Sequence, residues 1–180
     1  MKYYILLATT LLTGSIIGLS QITTTKLESS IPPQSNKATE QSVVDQSNKA
    51  TKQSILASLI TKASTKHNVD RSTLSCILYI ESTYDQSKVS NTMDYGIAQI
   101  NIQNIRRFNL DFAKVLNSTE YNIDFGARLL SHYETLYKPI EQRTWACRYN
   151  VGTRSLRIVG GACEAYLERL NACLINGAYL

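Results

Sequence analysis

Polar and apolar positions divide this chain into three stretches of different character. Residues 1–20, MKYYILLATTLLTGSIIGLS, hold one lysine, then an uncharged and mostly apolar run, then small residues at Gly18 and Ser20. That is the layout of a secretory leader cleaved near Ser20 or Gln21. As an uncleaved membrane anchor the run is barely long enough, and Thr9, Thr10, Thr13, Gly14 and Ser15 weaken it further. Residues 21–53 are rich in Ser, Thr, Gln, Asn and Lys and repeat at a period of twelve: Gln34-Ser-Asn-Lys-Ala-Thr-Glu-Gln-Ser42 returns as Gln46-Ser-Asn-Lys-Ala-Thr-Lys-Gln-Ser54. Two polar copies cannot bury a core, so this stretch reads as a flexible tether ahead of a folded domain at 54–180.

From Ile55 onward apolar residues recur at helical spacing. Ile55, Leu56, Leu59, Ile60 and Ala63 predict one amphipathic helix, and Asp70 is a good N-cap for the next. A Ser- and Asn-rich loop follows through Val89 to Asp94, with room for a small hairpin within 88–98. Gly96 to Phe108 reads as a turn and a helix. Ile123, Ala127, Leu130, Tyr133 and Tyr137 mark a long helix ended by Pro139. Thr144 to Asn150 predicts a short helix closed by a turn at Gly152, and Ala162 to Leu174 a last one after Gly160-Gly161. No alternating run is long enough for a substantial sheet, so the expected fold class is mainly α.

One residue breaks its own pattern. Leu74, Ile77 and Leu78 occupy i, i+3 and i+4 of a stripe whose i+7 position is Glu81. A carboxylate on a buried face costs several kcal/mol unless it is paired or keeps its proton, which makes Glu81 a general-acid candidate. The bland alternative is a helix shifted by one residue, which would turn Glu81 to solvent.

Composition changes the picture in two places. The formal charge is +5, or +4 without Lys2, and residues 54–180 hold 14 basic against 11 acidic side chains. That modest excess suits an anionic envelope polymer among many partners, and the absence of a Lys/Arg block with interleaved aromatics argues against nucleic acid. Export makes Cys76, Cys147, Cys163 and Cys173 candidates for one or two disulfides, with three full connectivities. Ten residues along one helix would separate Cys163 from Cys173 by about 15 Å, too far to bridge, which favours bonds from Cys76 and Cys147 to the C-terminal pair. Zinc is not expected, since there is no Cys-x-x-Cys pair and neither His67 nor His132 is placed like a ligand. No cysteine lies just after the leader to take a lipid, so a soluble protein of the periplasm or cell envelope is expected.

Three segments carry chemistry: Glu81-Ser82-Thr83-Tyr84, Asp94-Tyr95-Gly96-Ile97-Ala98-Gln99-Ile100-Asn101, and Ala146-Cys147-Arg148-Tyr149-Asn150-Val151-Gly152. In order and separation they resemble the soluble lytic transglycosylase domain, whose patterns are Glu-Ser, Gly-Leu-Met-Gln and Ala-Tyr-Asn-x-Gly. Asn122-Ile123-x-x-Gly126-Ala127-x-x-Leu130 is similar to the helix lining that family's cleft floor. The resemblance spans about residues 56–155 and implies a goose-lysozyme-like helical fold that cuts peptidoglycan. It implies Glu81 as the catalytic acid, with Ser82, Gly96, Gln99, Tyr149 and Asn150 binding substrate or holding the acid, Tyr149 within reach of Glu81, and no metal or cofactor. Two departures stand out. Ala98 replaces the usual methionine, and Cys147-Arg148 stand between the Ala and the Tyr. The wording of the second segment looks most like transglycosylases that serve conjugation and secretion machines.

The implied mechanism is single-acid cleavage of the bond between MurNAc and GlcNAc, ending in 1,6-anhydro-MurNAc, because Asp85 and Asp94 read as loop or cap residues. The alternatives are a hydrolytic lysozyme of the same fold and a non-catalytic glycan-binding assembly factor. An acid retained on an apolar stripe argues against the latter.

Overall fold

The computed structural model describes residues 37–141, 144–153 and 160–177. The leader expected at 1–20 and the tether residues 21–36 lie outside the described residues. Residues 37–53, read as tether, instead form the first half of α1 (Lys37–His67). Lys, Ala, Glu and Gln are good helix formers, so a helix anchored by the burial of Ile60 and Ala63 extends backward at small cost per residue. From Val44 to Ile55 its side chains are exposed, so that stretch buries little surface.

The N-cap at Asp70 forms as predicted. Its Oδ1 accepts from Thr73 N at 2.7 Å and Thr73 Oγ1 at 2.8 Å, which fixes the start of α2 (Arg71–Ser82). With that start, Leu74, Ile77 and Leu78 fall on the inner face and are fully buried. After α2 the chain makes a small antiparallel hairpin of β1 (Asp94–Tyr95) and β2 (Ile100–Asn101), joined by the turn 96–99. Short helices α3 (Ile102–Arg107) and α4 (Phe112–Asn117) follow. The sequence reading gave no helix at α4, although Asp111 caps it, accepting from Lys114 N at 3.1 Å.

The long helix α5 (Thr119–Glu141) runs through the middle, packed against α1, α2, α4 and the 3-10 turn Trp145–Cys147. Pro139 does not end it. Only Ile140 and Glu141 follow, so few helix bonds are at stake, and the Glu141 carboxylate is held by Arg148 Nε at 3.0 Å. Ile123, Ala127 and Leu130 of α5 close the core against the buried face of α2. The end of the fold is α6 (Arg148–Val151) and α7 (Gly160–Asn176).

Arg148, one of the two residues that interrupt the Ala-Tyr spacing, is buried. Its guanidinium pairs with Glu141, donates to the Gly152 carbonyl at 3.2 Å and lies 4.2 Å from the Tyr137 ring centroid. The fold is thus mainly α, with its only described sheet beside the turn 96–99.

Two disulfides tie α7 down. Cys76 of α2 bonds Cys173, with Cα atoms 5.8 Å apart, and Cys147 bonds Cys163 at 5.4 Å. Cys163 and Cys173 share one helix, as the spacing argument requires. Non-reducing peptide mapping should therefore link Cys76 to Cys173 and Cys147 to Cys163. The two bonds close loops of 97 and 16 residues, so loop-closure entropy predicts the larger loss for Cys76→Ala/Cys173→Ala, up to about 5 kcal/mol against about 3 for the other pair. Urea unfolding of the two double variants checks the order.

Candidate functional site

The site gathers around the last turn of α2. Glu81 sits there partly exposed, beside the buried Ile77 and Leu78, and takes a hydrogen bond on Oε1 from the Tyr166 hydroxyl at 3.1 Å. Burial pushes its carboxyl up from 4.5 to about 7. The Tyr166 bond, Arg169 and Lys88 work against that rise, and Asp94 adds to it. Desolvation wins, as expected for a carboxylate with no contact ion pair among the described residues.

Tyr166 is the hydrogen-bond partner of Glu81 that the sequence does not single out. It lies on the inner stripe of α7 with Cys163, Leu170 and Cys173, and it is completely buried. A tyrosine on such a stripe needs a partner for its hydroxyl, and that was the available signal. The partner is the acid.

The segment 94–101 is held rigidly behind the acid. Asn122, fully buried on α5, accepts from Ala98 N at 2.8 Å and donates to the carbonyls of Tyr95 and Val115 at 3.0 Å each. Gly96 has a φ of +77°, and a Cβ there would lie 2.2 Å from Asn122 Nδ2. The glycine is therefore required by the approach of this amide as well as by the turn. Gln99 donates through Nε2 to the carbonyls of Gly96 at 2.8 Å and Lys88 at 3.1 Å. Ser82 is buried. Its hydroxyl donates to the Ile97 carbonyl at 2.7 Å and accepts from Asp85 N at 3.1 Å, so it braces the acid's helix against the turn.

Tyr149 comes in from α6. Its hydroxyl donates to the Ala98 carbonyl at 2.9 Å, so it is Tyr166 and not Tyr149 that bonds the acid. The reason lies in Gly126 on α5, where a Cβ would stand 2.7 Å from Ala98 Cβ and 3.0 Å from the Tyr149 hydroxyl. That missing methyl lets the turn and the tyrosine meet over the helix. Tyr149 is still close enough for the charge of Glu81 to act on it. Burial first, then that charge, hold both tyrosine hydroxyls well above their ordinary value, so they remain donors at any physiological pH.

Beside this group lies an open cavity of about 370 Å³. Gln99, Tyr149 and Asn150 line it together with Asp94, Asn101, Arg107 and Tyr133, a polar set with aromatic faces suited to a sugar's hydroxyl and amide groups. Glu81, Ser82 and Gly96 are not among its lining residues. The other two nearby carboxylates are engaged locally. Asp94 accepts from Ser90 Oγ at 2.6 Å and Asn101 Nδ2 at 2.7 Å, and also from Thr92. Exposed Asp85 is lowered by hydrogen bonds from the hydroxyl and backbone N–H of Ser87. Among the described residues no three His, Cys, Asp or Glu side chains converge on one point.

Residues 58–165 match the family model described as the transglycosylase SLT domain. No curated protein and no solved structure matches the chain.

The raised carboxyl makes a stability prediction. Between pH 4.5 and about 7 the folded chain holds the Glu81 proton and the unfolded chain does not. Stability is then lost as pH rises through that window and stays lost above it. Glu81→Gln should unfold at nearly the same urea concentration as the parent at pH 4 and at a higher one at pH 8. Equal midpoints at pH 8 would contradict the burial of the charge.

Proposed function

Because the chain belongs to the transglycosylase SLT domain family, whose members are lytic transglycosylases acting on peptidoglycan, we propose that it cleaves the MurNAc-GlcNAc β-1,4 bond with Glu81 as its single catalytic acid. The fold is lysozyme-like, and its members bind peptidoglycan through that domain. The observation that carries the finer reading is the state of Glu81: desolvated, raised to about 7 and bonded by Tyr166. Such an acid holds its proton for a useful fraction of the time at neutral pH and gives it up readily when charge develops nearby.

The cycle needs no second carboxylate. Glu81 gives its proton to the glycosidic oxygen as the C1–O bond breaks, and the substrate's N-acetyl oxygen helps the electron-poor C1. Glu81, now a carboxylate, takes the proton from the C6 hydroxyl while O6 bonds to C1. The acid is restored and a 1,6-anhydro-MurNAc end is left, with no water consumed. Proximity favours this capture, because the C6 hydroxyl belongs to the same sugar as C1. Gln99, Asn150 and Tyr149 supply polar contacts along the adjoining cavity.

One observation favours a second reading. Asp94 lines the same cavity and acts electrostatically on Glu81, which is where a hydrolytic lysozyme would keep a second carboxylate. Its hydrogen bonds from Ser90, Thr92 and Asn101 hold it within its own loop and weigh against that role. A purely glycan-binding role is disfavoured by a desolvated acid, which binding alone does not require.

The wider setting follows from the sequence. The expected leader at 1–20 sends the chain to the periplasm or envelope, and the second motif favours local wall opening for a conjugation or secretion apparatus. The exposed stretch of α1 from Val44 to Ile55 then acts as a spacer.

Two measurements test the reading. Glu81→Gln should lower wall-degrading activity by at least ~100-fold, the usual scale for a general acid. Retention of most of the activity would remove Glu81 from its role. Fragments released from purified sacculi should end in 1,6-anhydro-MurNAc, about 18 mass units below hydrolytic ends, and should resist borohydride because they carry no free aldehyde. Spectra dominated by reducible MurNAc ends would favour the lysozyme reading and return attention to Asp94.

A further inference from the structure

Lys88 lies outside the segments that carry the family resemblance, yet its bonds join two of them. Its ammonium donates to the backbone carbonyl of Glu81 at 2.5 Å, at the exposed C-terminal end of α2. Its own carbonyl accepts from Gly96 N at 2.9 Å and from Gln99 Nε2 at 3.1 Å. One residue thus touches the backbone that bears the acid and the side chain that lines the cavity. A helix C-terminus presents unpaired carbonyls and the negative end of the helix dipole, so a cation is favoured at this position.

We infer that Lys88 is a positioning residue for the reaction: it clamps the end of α2 carrying Glu81 to the turn carrying Gln99, and it brings a positive charge to the acid. The inference rests on the reading of Glu81 as that acid. The clamp acts on orientation. The last turn of α2 carries no other cation, since its sequence from Leu78 to Ser82 has none. Without Lys88, the backbone of Glu81 loses its bond to the loop, and Gln99 keeps its carbonyl partners with no tie to the acid's helix. The charge acts on the second half of the cycle, when the carboxylate must exist long enough to take a proton from a hydroxyl.

The groups facing Glu81 come from every side. Tyr166 and Arg169 approach from α7, Tyr149 from α6, Asp94 from β1 and Lys88 from the connecting loop. Tyr166, Arg169 and Lys88 favour the anion, while Asp94 and burial oppose it. Removing Lys88 therefore moves the acid upward, and activity that depends on the protonated acid persists to higher pH. Arg169 and Tyr166 remain in place, so the anion is still reached.

The test uses the full chain with Lys88→Met, Lys88→Gln and Lys88→Arg, assayed on purified sacculi across pH 4–9 beside Glu81→Gln. Lys88→Met should lower kcat about 10- to 100-fold with KM little changed, the usual effect of a misplaced catalytic group, and should move the alkaline limb of the profile to higher pH. Lys88→Arg should restore both. Lys88→Gln, which keeps a donor without the charge, should shift the limb as Lys88→Met does, and it decides the matter if Lys88→Met fails to fold. A bystander role on an exposed surface would leave the limb where it is. If Glu81→Gln is inactive while Lys88→Met or Lys88→Gln keeps the parental kcat and limb, the inference about Lys88 fails alone. If Glu81→Gln stays active, the reading of the acid fails and takes this inference with it.

Discussion

A carboxylic acid can donate a proton near neutral pH only where its anion is poorly solvated. In this chain that condition is met by α2, which delivers Glu81 on the same face as Leu74, Ile77 and Leu78. Its neighbours limit the water that reaches this partly exposed carboxyl, and some of them also keep the anion reachable. The Tyr166 hydroxyl gives the charge one hydrogen bond, Lys88 and Arg169 give it distant positive neighbours, and none forms a contact ion pair that would hold the proton off. Full pairing would fix the acid as a permanent carboxylate. Complete isolation would fix it as a permanent acid.

Keeping that balance requires close backbone approach, and the approach is made by what two glycines lack. Gly96 leaves room for the Asn122 amide, and Gly126 leaves room for Ala98 and the Tyr149 hydroxyl. The small Ala98 belongs with this arrangement, because its methyl already lies against α5. Asn122 then uses both ends of its buried amide to hold the turn. The hairpin is only two residues wide on each strand, so this amide supplies order that a short sheet cannot.

Much of this was legible because it is local. The 3.6 period gave α2 and the α5 stripe, Asp70 announced a cap, and the place of Glu81 on an apolar stripe announced a carboxyl that burial raises. The spacing of Cys163 and Cys173 along one helix excluded a bond between them. What escaped depended on long-range placement or on small energy differences. Tyr166 meets Glu81 across 85 residues of sequence, and nothing in its neighbours names that partner. Pro139 was read as a stop, but near a helix end the bond it removes matters little. The polar stretch over 37–53 has only Val43 and Val44 as large apolar residues, and periodicity does not register a helix that extends from a packed neighbour on propensity alone. The resemblance places Gly96 among the substrate-binding residues, whereas its tightest constraint in the structure is a side chain of the protein itself.

The tie between α2 and α7 also sets an order of events. Because the chain is made from its N-terminus, Glu81 and its motif partners emerge well before Tyr166, and α7 is the last described element. An early-folding fragment would hold the acid in a looser, wetter setting, where its carboxyl behaves like any other glutamate. The surroundings that raise the Glu81 carboxyl are therefore completed late, when the final helix docks and its cysteines find Cys76 and Cys147. A chain cut short before α7 lacks the Tyr166 bond and both disulfides, so it cannot build the setting in which the Glu81 carboxyl is raised.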